Sequence, residues 1–177
     1  KGFLPQRKLS LIPGNVKTTP YYLAEQQDAN GKPIVYWINY EQRHYRCDHR
    51  ASTANSACSL TFSLSKSRTQ GINLQQFSRM KISIDYQGPA KTLRIAMRNH
   101  DPRFSTEADY NSDKFIFINV RTKDLNEPIV IAMSEFKVAD WWVSQLNLPC
   151  EYAHFDFRNI ISMTLDTEED LSNTEHE

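Results

Sequence analysis

The sequence lacks the long apolar runs and the excess of one charge that mark several large classes of protein. No segment approaches the 18 consecutive apolar residues of a membrane-spanning helix, and the N-terminal KGFLPQRKLS has no apolar stretch of a signal peptide. Lysine plus arginine and aspartate plus glutamate number 21 each, so the formal net charge is zero. A neutral chain does not strongly attract nucleic acid, and we expect no nucleic-acid partner.

Recognisable catalytic and zinc motifs are also missing. GxSxG, HExxH and CxxC are absent, the five glycines form no phosphate-binding loop, and the five histidines lack paired spacing. Four carboxylates could supply an acid and base pair of the glycosidase kind. They are Glu107, Asp109, Glu135 and Asp140. Because the chain has 21 acidic residues, surface charges are the simpler interpretation, and we expect no catalytic residue and no cofactor.

Two of the three cysteines enclose a short polar loop. Cys47 and Cys58 bracket DHRASTANSA between two strand-like runs, an arrangement typical of a hairpin closed by a disulfide. In the chain-entropy model such a bond stabilises the fold by about 3 kcal/mol, and it persists only in an oxidising compartment. The alternative is a pair of free thiols in a cytosolic protein. We expect Cys150 to be a buried free thiol.

Alternation of apolar and polar residues with a period of two dominates the chain. In TLRIAMR (92–98), Leu93, Ile95 and Met97 form the apolar set and predict a half-buried strand. Further strands are predicted at 34–46, 59–64, 80–86, 114–120, 128–133, 137–143 and 160–166. Many short strands without alternating helices predict an all-β antiparallel β-sandwich of the jelly-roll type.

One domain accounts for the whole length. A chain of 177 residues is one ordinary domain and buries roughly 70% of its unfolded surface. No internal repeat or low-complexity linker divides it. We expect a single sandwich over residues 1–177 with flexible ends at 1–8 and 167–177. The opening lysine and the polar closing segment suggest a soluble piece of a longer protein.

The segment DPRFSTEADYNSD (101–113) connects two predicted strands and is unusually polar. Its oxygen-rich side chains could hold Ca²⁺, but the D-x-D-x-D-G spacing and the closing glutamate of an EF-hand are missing. A solvated connection is the simpler interpretation. We therefore expect no metal site, while a structural calcium ion stays an open alternative.

Strand parity assigns different environments to the two adjacent tryptophans. Consecutive side chains on a strand point to opposite faces. Ala139, Trp141 and Val143 form a wholly apolar row, whereas Trp142 shares its row with Asp140. We predict that Trp141 lies in the core and that Trp142 is an exposed platform. A short helix through ADWWVSQL would break this alternation.

A ligand groove is predicted on the exposed face of the strand that contains Arg98. This arginine has outward parity, and a guanidinium beside aromatic rings suits a sugar or a carboxylate. In a hairpin through DYQGPAKTLR, Asp85 and Arg94 would neutralise each other, which leaves Arg98 free. The predicted ligand-binding residues are Arg98, Asn99, Tyr110, Lys114 and Trp142.

Four stretches carry a family resemblance. They are CDHRASTANSAC, LRIAMRNHDPRFSTEADYNSDKF, MSEFKVADWWV and FDFRNIISMTLDT. Together, over about Trp37 to Asp166, the chain resembles the extracytoplasmic sensory domain of bacterial membrane-bound diguanylate cyclases. The resemblance implies a galactose-binding-type jelly roll, similar to carbohydrate-binding modules. The final strand expected for that family is missing after Leu171, so we expect the chain to lack the last strand of the domain.

The resemblance also implies a setting. In that family, transmembrane helices flank the domain, and a cytoplasmic GGDEF domain makes cyclic di-GMP. The implied role is therefore periplasmic, within an inner-membrane protein, where a small molecule such as a saccharide regulates the cyclase. The alternative is a secreted carbohydrate-binding module or weak glycosidase. Homodimerisation stays open, and the family offers no ligand motif that transfers residue by residue.

Overall fold

A computed structural model describes residues 21–23, 26–27, 29–31, 33–39, 44–47, 58–88, 90–154 and 156–167. Most regular structure in these ranges is β-strand, which confirms the all-β prediction. The strands are β1 (Tyr21–Leu23), β2 (Gln26–Gln27), β3 (Pro33–Asn39), β4 (His44–Cys47), β5 (Cys58–Ser63), β6 (Arg79–Ile82), β7 (Thr92–Asn99), β8 (Lys114–Arg121), β9 (Ile129–Ala132), β10 (Lys137–Val138) and β11 (Ile160–Thr167). A six-residue helix, α1, spans Asp140–Gln145, and short 3-10 helices lie at 110–112, 122–124, 133–135 and 150–152.

Six strands form the main sheet in the order β1-β5-β11-β7-β8-β10, and neighbouring strands are antiparallel. Arg98 lies opposite Ser162 on one side and opposite Phe115 on the other, and Ser162 lies opposite Ser63. Directly opposed residues point to the same face of a sheet. These four residues therefore form one row across four strands, on what we call the outer face.

The other face of the main sheet, the core face, packs against a second layer. That layer contains the three-stranded sheet β2-β3-β4 and the two-stranded sheet β6-β9. Tyr45 of β4, Met80 of β6 and Ile131 of β9 contact the same apolar cluster as Ile95 and Met97 of β7. The alternation in β7 thus directs its apolar set into the core, as the sequence predicts.

Three predicted strands, at 34–46, 80–86 and 137–143, were wrong in extent. Residues 34–46 form two strands, β3 and β4, which pair as an antiparallel hairpin. The strand predicted at 137–143 ends at Val138, and α1 begins at Asp140. The expected flexible ends were 1–8 and 167–177. Thr167 is the last residue of β11, while residues 1–8 and 168–177, and with them the expected lack of a strand after Leu171, lie outside the described residues.

The predicted ion pair between Asp85 and Arg94 is also wrong. The strand predicted at 80–86 ends at Ile82, and β6 pairs with β9 and not with β7. Asp85 is exposed, and Arg94 donates instead from Nη2 to Asp166 Oδ2 of β11 at 2.9 Å. Asp166 lies directly opposite Arg94 in the sheet, so the ion pair of Arg94 joins β7 to β11 and not to the segment that contains Asp85.

The cysteines are described only in part. Cys150 is a free thiol, as predicted, but it is exposed and not buried. Cys47 is disulfide-bonded. The side chain of Cys58 and the loop 48–57 lie outside the described residues, so the pairing of Cys47 with Cys58 stays a prediction.

Candidate ligand-binding site

Two acidic residues of the polar crossing 101–113, Asp101 and Asp113, are paired with basic side chains of the protein. Asp101 accepts hydrogen bonds from Arg103 Nε at 3.0 Å and from Arg103 Nη2 at 2.6 Å. The fully buried Asp113 shares a 2.9 Å hydrogen bond with His100 Nδ1 and accepts another from Arg68 Nη1 at 2.8 Å. Within the described ranges, no three His, Cys, Asp or Glu side chains converge on a metal position.

The crossing presents Tyr110 to the outer face. Tyr110 begins the 3-10 helix at 110–112, and the Asp109 carboxylate caps it by accepting from the Asn111 amide at 2.9 Å. The Tyr110 hydroxyl and Ser162 Oγ are 2.9 Å apart, and Arg98 Nη1 donates to the Tyr110 carbonyl at 3.2 Å. Although these contacts fix its position, the tyrosine is 40% exposed.

Two guanidinium groups lie against the Tyr110 ring. The Arg98 group is 4.4 Å from the ring centroid and the Arg68 group is 5.0 Å from it, within the range of a cation-π contact. Arg98 also lies 4.8 Å from the centroid of Phe115. Burial lowers the pKa of Arg98, while the charges of Tyr110 and Asp113 oppose this and that of Arg68 lowers it further. Arg98 is thus a partly desolvated cation on a surface of aromatic rings.

The two tryptophans occupy the reverse of their predicted positions. Trp142 is fully buried, and its indole N–H donates to the Ser112 carbonyl at 3.0 Å. Trp141 is 41% exposed, and its ring lies 5.5 Å from that of Phe115 and 5.7 Å from the Arg98 guanidinium. The exposed platform beside Arg98 is therefore Trp141.

The reason for this reversal is that the two tryptophans lie on a helix. The helix ends in a Schellman motif, in which Asn147 adopts a positive φ of 51° and its amide donates to the Ser144 carbonyl at 3.1 Å. The Leu148 amide donates to the Val143 carbonyl at 3.0 Å. Asparagine after the last turn, followed by Pro149, is a stop signal for a helix that strand parity alone does not use.

Asn99 and Lys114, two further predicted ligand residues, lie on the core face. They oppose each other in the β7 and β8 pairing and are 2% and 1% exposed. Lys114 Nζ donates to the His154 carbonyl at 3.3 Å and lies 5.2 Å from the Trp142 ring. Burial lowers the pKa of Lys114, which the charge of Asp101 opposes. The structure therefore brings Arg98 and Tyr110 together and separates them from Asn99, Lys114 and Trp142.

A cleft of about 410 Å³ opens on the outer face beside Tyr110. Small hydroxyl side chains make up much of its lining. They are Thr61, Ser63, Ser65, Ser67 and Ser162. Lys66 and Arg68 complete the polar lining, and Tyr110 forms one wall. We call this depression the cleft.

The hydroxyl residues of the cleft were not predicted as ligand contacts. Thr61 and Ser63 occupy the outward positions of β5, and Ser162 and Thr164 occupy those of β11. Small polar residues with a period of two in SLTFSL and IISMTLD were an available signal. Their meaning depends on the pairing of β5 with β11, two strands that are far apart in the sequence.

Asn159 holds the loop that forms the other wall of the cleft. Its Oδ1 accepts from the Gly71 amide at 2.5 Å, and its Nδ2 donates to the carbonyls of Thr69 at 3.0 Å and His100 at 2.7 Å. Within the loop, Ser67 Oγ accepts from the Thr69 amide at 3.1 Å. The cleft is therefore bordered by a wall that is fixed to the ends of β7 and β11.

The described residues that line the cleft offer groups for binding, and no carboxylate is among them. The four acidic candidates for catalysis are exposed, and none is among its described lining residues. Hydroxyl groups, a guanidinium and an ammonium can bind and orient a ligand through hydrogen bonds, and the tyrosine ring offers an apolar surface.

Comparisons with known proteins do not assign the chain to a family. None of the helices in the described ranges has the length and apolar character needed to cross a bilayer. Searches against models of protein families, curated proteins and solved structures found no match.

Proposed function

We propose that this chain is a non-catalytic ligand-binding domain that holds a saccharide in the cleft on the outer face. The observation that carries the proposal is the exposed ring of Tyr110 at the border of a cleft rich in hydroxyl groups. Ligand sites of small molecules typically combine an apolar surface with a few convergent polar groups. Trp141, on the far side of Arg98, extends the aromatic surface beyond the cleft.

A saccharide fits this surface because it has both apolar C–H faces and polar hydroxyl groups, and the cleft has both an aromatic ring and hydroxyl side chains. The C–H faces of a sugar ring are apolar and can pack on the ring of Tyr110. Its hydroxyl groups need hydrogen-bond partners. The Ser63 hydroxyl donates to the Ser65 carbonyl and the Ser162 hydroxyl is bonded to that of Tyr110, but each can still accept a hydrogen bond from the sugar because a hydroxyl oxygen accepts two. The volume of about 410 Å³ lies within the range of roughly 300 to 1,000 Å³ of small-molecule sites.

The setting that we propose is the one implied by the sequence resemblance. The domain, a jelly roll of the galactose-binding type, senses the saccharide in the periplasm as part of an inner-membrane diguanylate cyclase. Binding regulates the cyclase only if the two signalling arrangements differ in affinity for the ligand. Apolar spans on both sides of this segment in its gene, with a GGDEF motif downstream, would support this setting. A hydrolase domain and a signal peptide would contradict it.

Binding can be tested by calorimetric titration of the purified domain with a panel of neutral and acidic monosaccharides and their oligomers. We expect at least one to bind, and Tyr110→Ala to weaken its binding by at least about tenfold. Val130→Ala is the matched control because Val130 is an exposed apolar residue on β9, in the second layer. Equal affinity of the Tyr110→Ala variant and the wild type would contradict the proposed site.

A further inference from the structure

The charged side chains among the described residues that line the cleft are both cationic, although the whole chain is neutral. Lys66 is exposed, and no ion pair to it is found among the described residues. None of the described lining residues is acidic. Asp113, which is bonded to Arg68, is fully buried and is shared with His100. The solvent-facing part of the cleft is therefore cationic.

One terminal nitrogen of the Arg68 guanidinium is hydrogen-bonded, and the other has no hydrogen-bond partner among the described residues. Nη1 donates to Asp113 at 2.8 Å, while Nη2 is buried and has no hydrogen-bond partner in the part of the chain that the structure describes. A buried donor without a partner is unfavourable by roughly 1 to 3 kcal/mol. An acceptor oxygen that reaches this nitrogen would remove that penalty.

Arg98 adds a second guanidinium to the same ring. Arg68 and Arg98 both contact Tyr110, so two like charges lie close together on a partly desolvated surface. A bound anion would offset this repulsion. Guanidinium groups pair well with carboxylates because their planar donors match the two carboxylate oxygens.

We propose that the cleft selects an acidic saccharide of the uronic acid class. Its carboxylate would lie toward Lys66 and Arg68, its ring against Tyr110, and its hydroxyl groups on the serine and threonine residues of β5 and β11. This inference rests on the proposed function and narrows it to one class of ligand. The same carboxylate and hydroxyl groups occur in a free sugar acid and at the end of an acidic polysaccharide.

The test compares galacturonate and glucuronate with galactose and glucose by calorimetric titration at pH 7. We expect the uronates to bind at least about tenfold more tightly than the neutral sugars, and added salt to weaken uronate binding alone. Acetate is included to measure the contribution of a carboxylate without a sugar ring, and it should bind much more weakly than either uronate. Trigalacturonate distinguishes a free sugar acid from the end of an acidic polysaccharide as the ligand. If it binds more tightly than galacturonate, the ligand is a polysaccharide.

Lys66→Gln is the variant that tests the charge, because Lys66 is exposed and no contact that holds the fold depends on it among the described residues. Lys81→Gln, at an exposed lysine of β6 in the second layer, is the matched control. We expect Lys66→Gln to weaken uronate binding about threefold to tenfold and to weaken the binding of neutral sugars by a clearly smaller factor, because glutamine keeps a hydrogen-bond donor but loses the charge. Both variants should retain the unfolding midpoint of the wild type.

The outcomes separate the two proposals. Neutral sugars that bind as tightly as uronates would overturn the acidic selectivity and leave the saccharide-binding function standing. Acetate that binds as tightly as the uronates, or uronate binding that Lys66→Gln leaves intact, would also overturn the inference. Failure of every saccharide to bind would overturn both.

Discussion

At the scale of single residues, Asn159 connects the loop that follows β5 to the ends of β7 and β11. Its side chain bonds Gly71, Thr69 and His100, and its own carbonyl accepts from the His100 amide at 3.0 Å. Asn159→Ala leaves these backbone groups without the side-chain partner. We expect it to lower the free energy of unfolding by about 2–4 kcal/mol, measured by urea denaturation.

The control for this substitution is Asn126→Ala. Asn126 is exposed and makes one 3.2 Å hydrogen bond, from Nδ2 to the Lys123 carbonyl. Its removal should change the free energy of unfolding by no more than about 0.5 kcal/mol. Equal losses in the two variants would contradict the role of Asn159.

The adjacent tryptophans give a second prediction at this scale. Trp142 is fully buried, packs edge to face on Phe104 at 5.9 Å between ring centroids, and has its indole N–H paired. Trp142→Ala should therefore lower the free energy of unfolding by about 3–5 kcal/mol. Trp141→Ala should lower it by no more than about 1 kcal/mol, since Trp141 is 41% exposed and its ring contacts among the described residues are with Phe115 and Arg98. Chemical denaturation of both variants decides this, and the opposite order would contradict the burial of Trp142 in the core.

Asp101 gives a prediction for the dependence of stability on pH. Hydrogen bonds from the Arg103 side chain hold the pKa of Asp101 below its ordinary value, against the effect of burial. A carboxyl with a depressed folded pKa contributes stability above its unfolded pKa of about 3.9, and loses that contribution as pH falls through the folded value. Asp101→Asn should therefore be less stable than the wild type at pH 7, and the difference should shrink below about pH 4. Urea denaturation across this range measures it, and a constant difference would contradict the assignment.

At the scale of elements, the irregular start of β11 requires glycine in the facing segment. Ile72 and Ile160 exchange two backbone hydrogen bonds of 2.9 Å, and the pairing of β11 with β7 shifts between Ile160 and Ser162. A Cβ atom on Gly71 would lie 2.2 Å from the Ile160 carbonyl oxygen, so the backbone would have to move. Gly71→Ala should lower the free energy of unfolding by about 1–3 kcal/mol.

Gly88→Ala is the control for this substitution. A Cβ atom there would meet the hydroxyl end of the Tyr86 side chain at 2.5 Å, and a side chain can rotate away at less cost than a strand can shift. Thermal unfolding should show the larger loss for Gly71→Ala. Similar losses in both variants would contradict the close approach of the two backbones.

Sequence reasoning predicted the long strands well and the short elements poorly. β7, β8 and β11 each have eight residues, long enough for the alternation of apolar residues to be clear. Helix α1 has six residues and contains two tryptophans and a valine, which are also common in strands. Its start could be recognised only from weak signals, and the stop signal at Asn147 was not used.

The candidate site was predictable only where it follows from a single strand. The outward direction of Arg98 depends on the parity of β7 alone. The same parity places Asn99, the next residue, on the opposite face. The burial of Lys114 depends on its pairing with Asn99 between β8 and β7. The group of serine and threonine side chains in the cleft depends on the pairing of β5 with β11. The register between strands that are distant in sequence is set by tertiary packing, and local sequence patterns do not specify it.

At the scale of the whole molecule, the core and the proposed site use opposite faces of one sheet. The core face packs against the second layer, and the outer face carries the hydroxyl row, the two guanidinium groups and the exposed rings. Binding and stability are therefore expected to respond to different residues. A neutral chain can still carry a cationic cleft, because none of its described lining residues is acidic and the Asp113 carboxylate that Arg68 contacts is fully buried.

The most direct test of the central claim is a map of amide chemical shifts in ¹⁵N-labelled protein during titration with galacturonate. The account predicts that the largest changes fall on the outer face and its borders, at 61–68, Arg98, Tyr110 and Ser162. Changes centred on Lys114 of the core face and on His154, whose carbonyl Lys114 contacts, would contradict it. So would changes centred on β6 and β9 of the second layer.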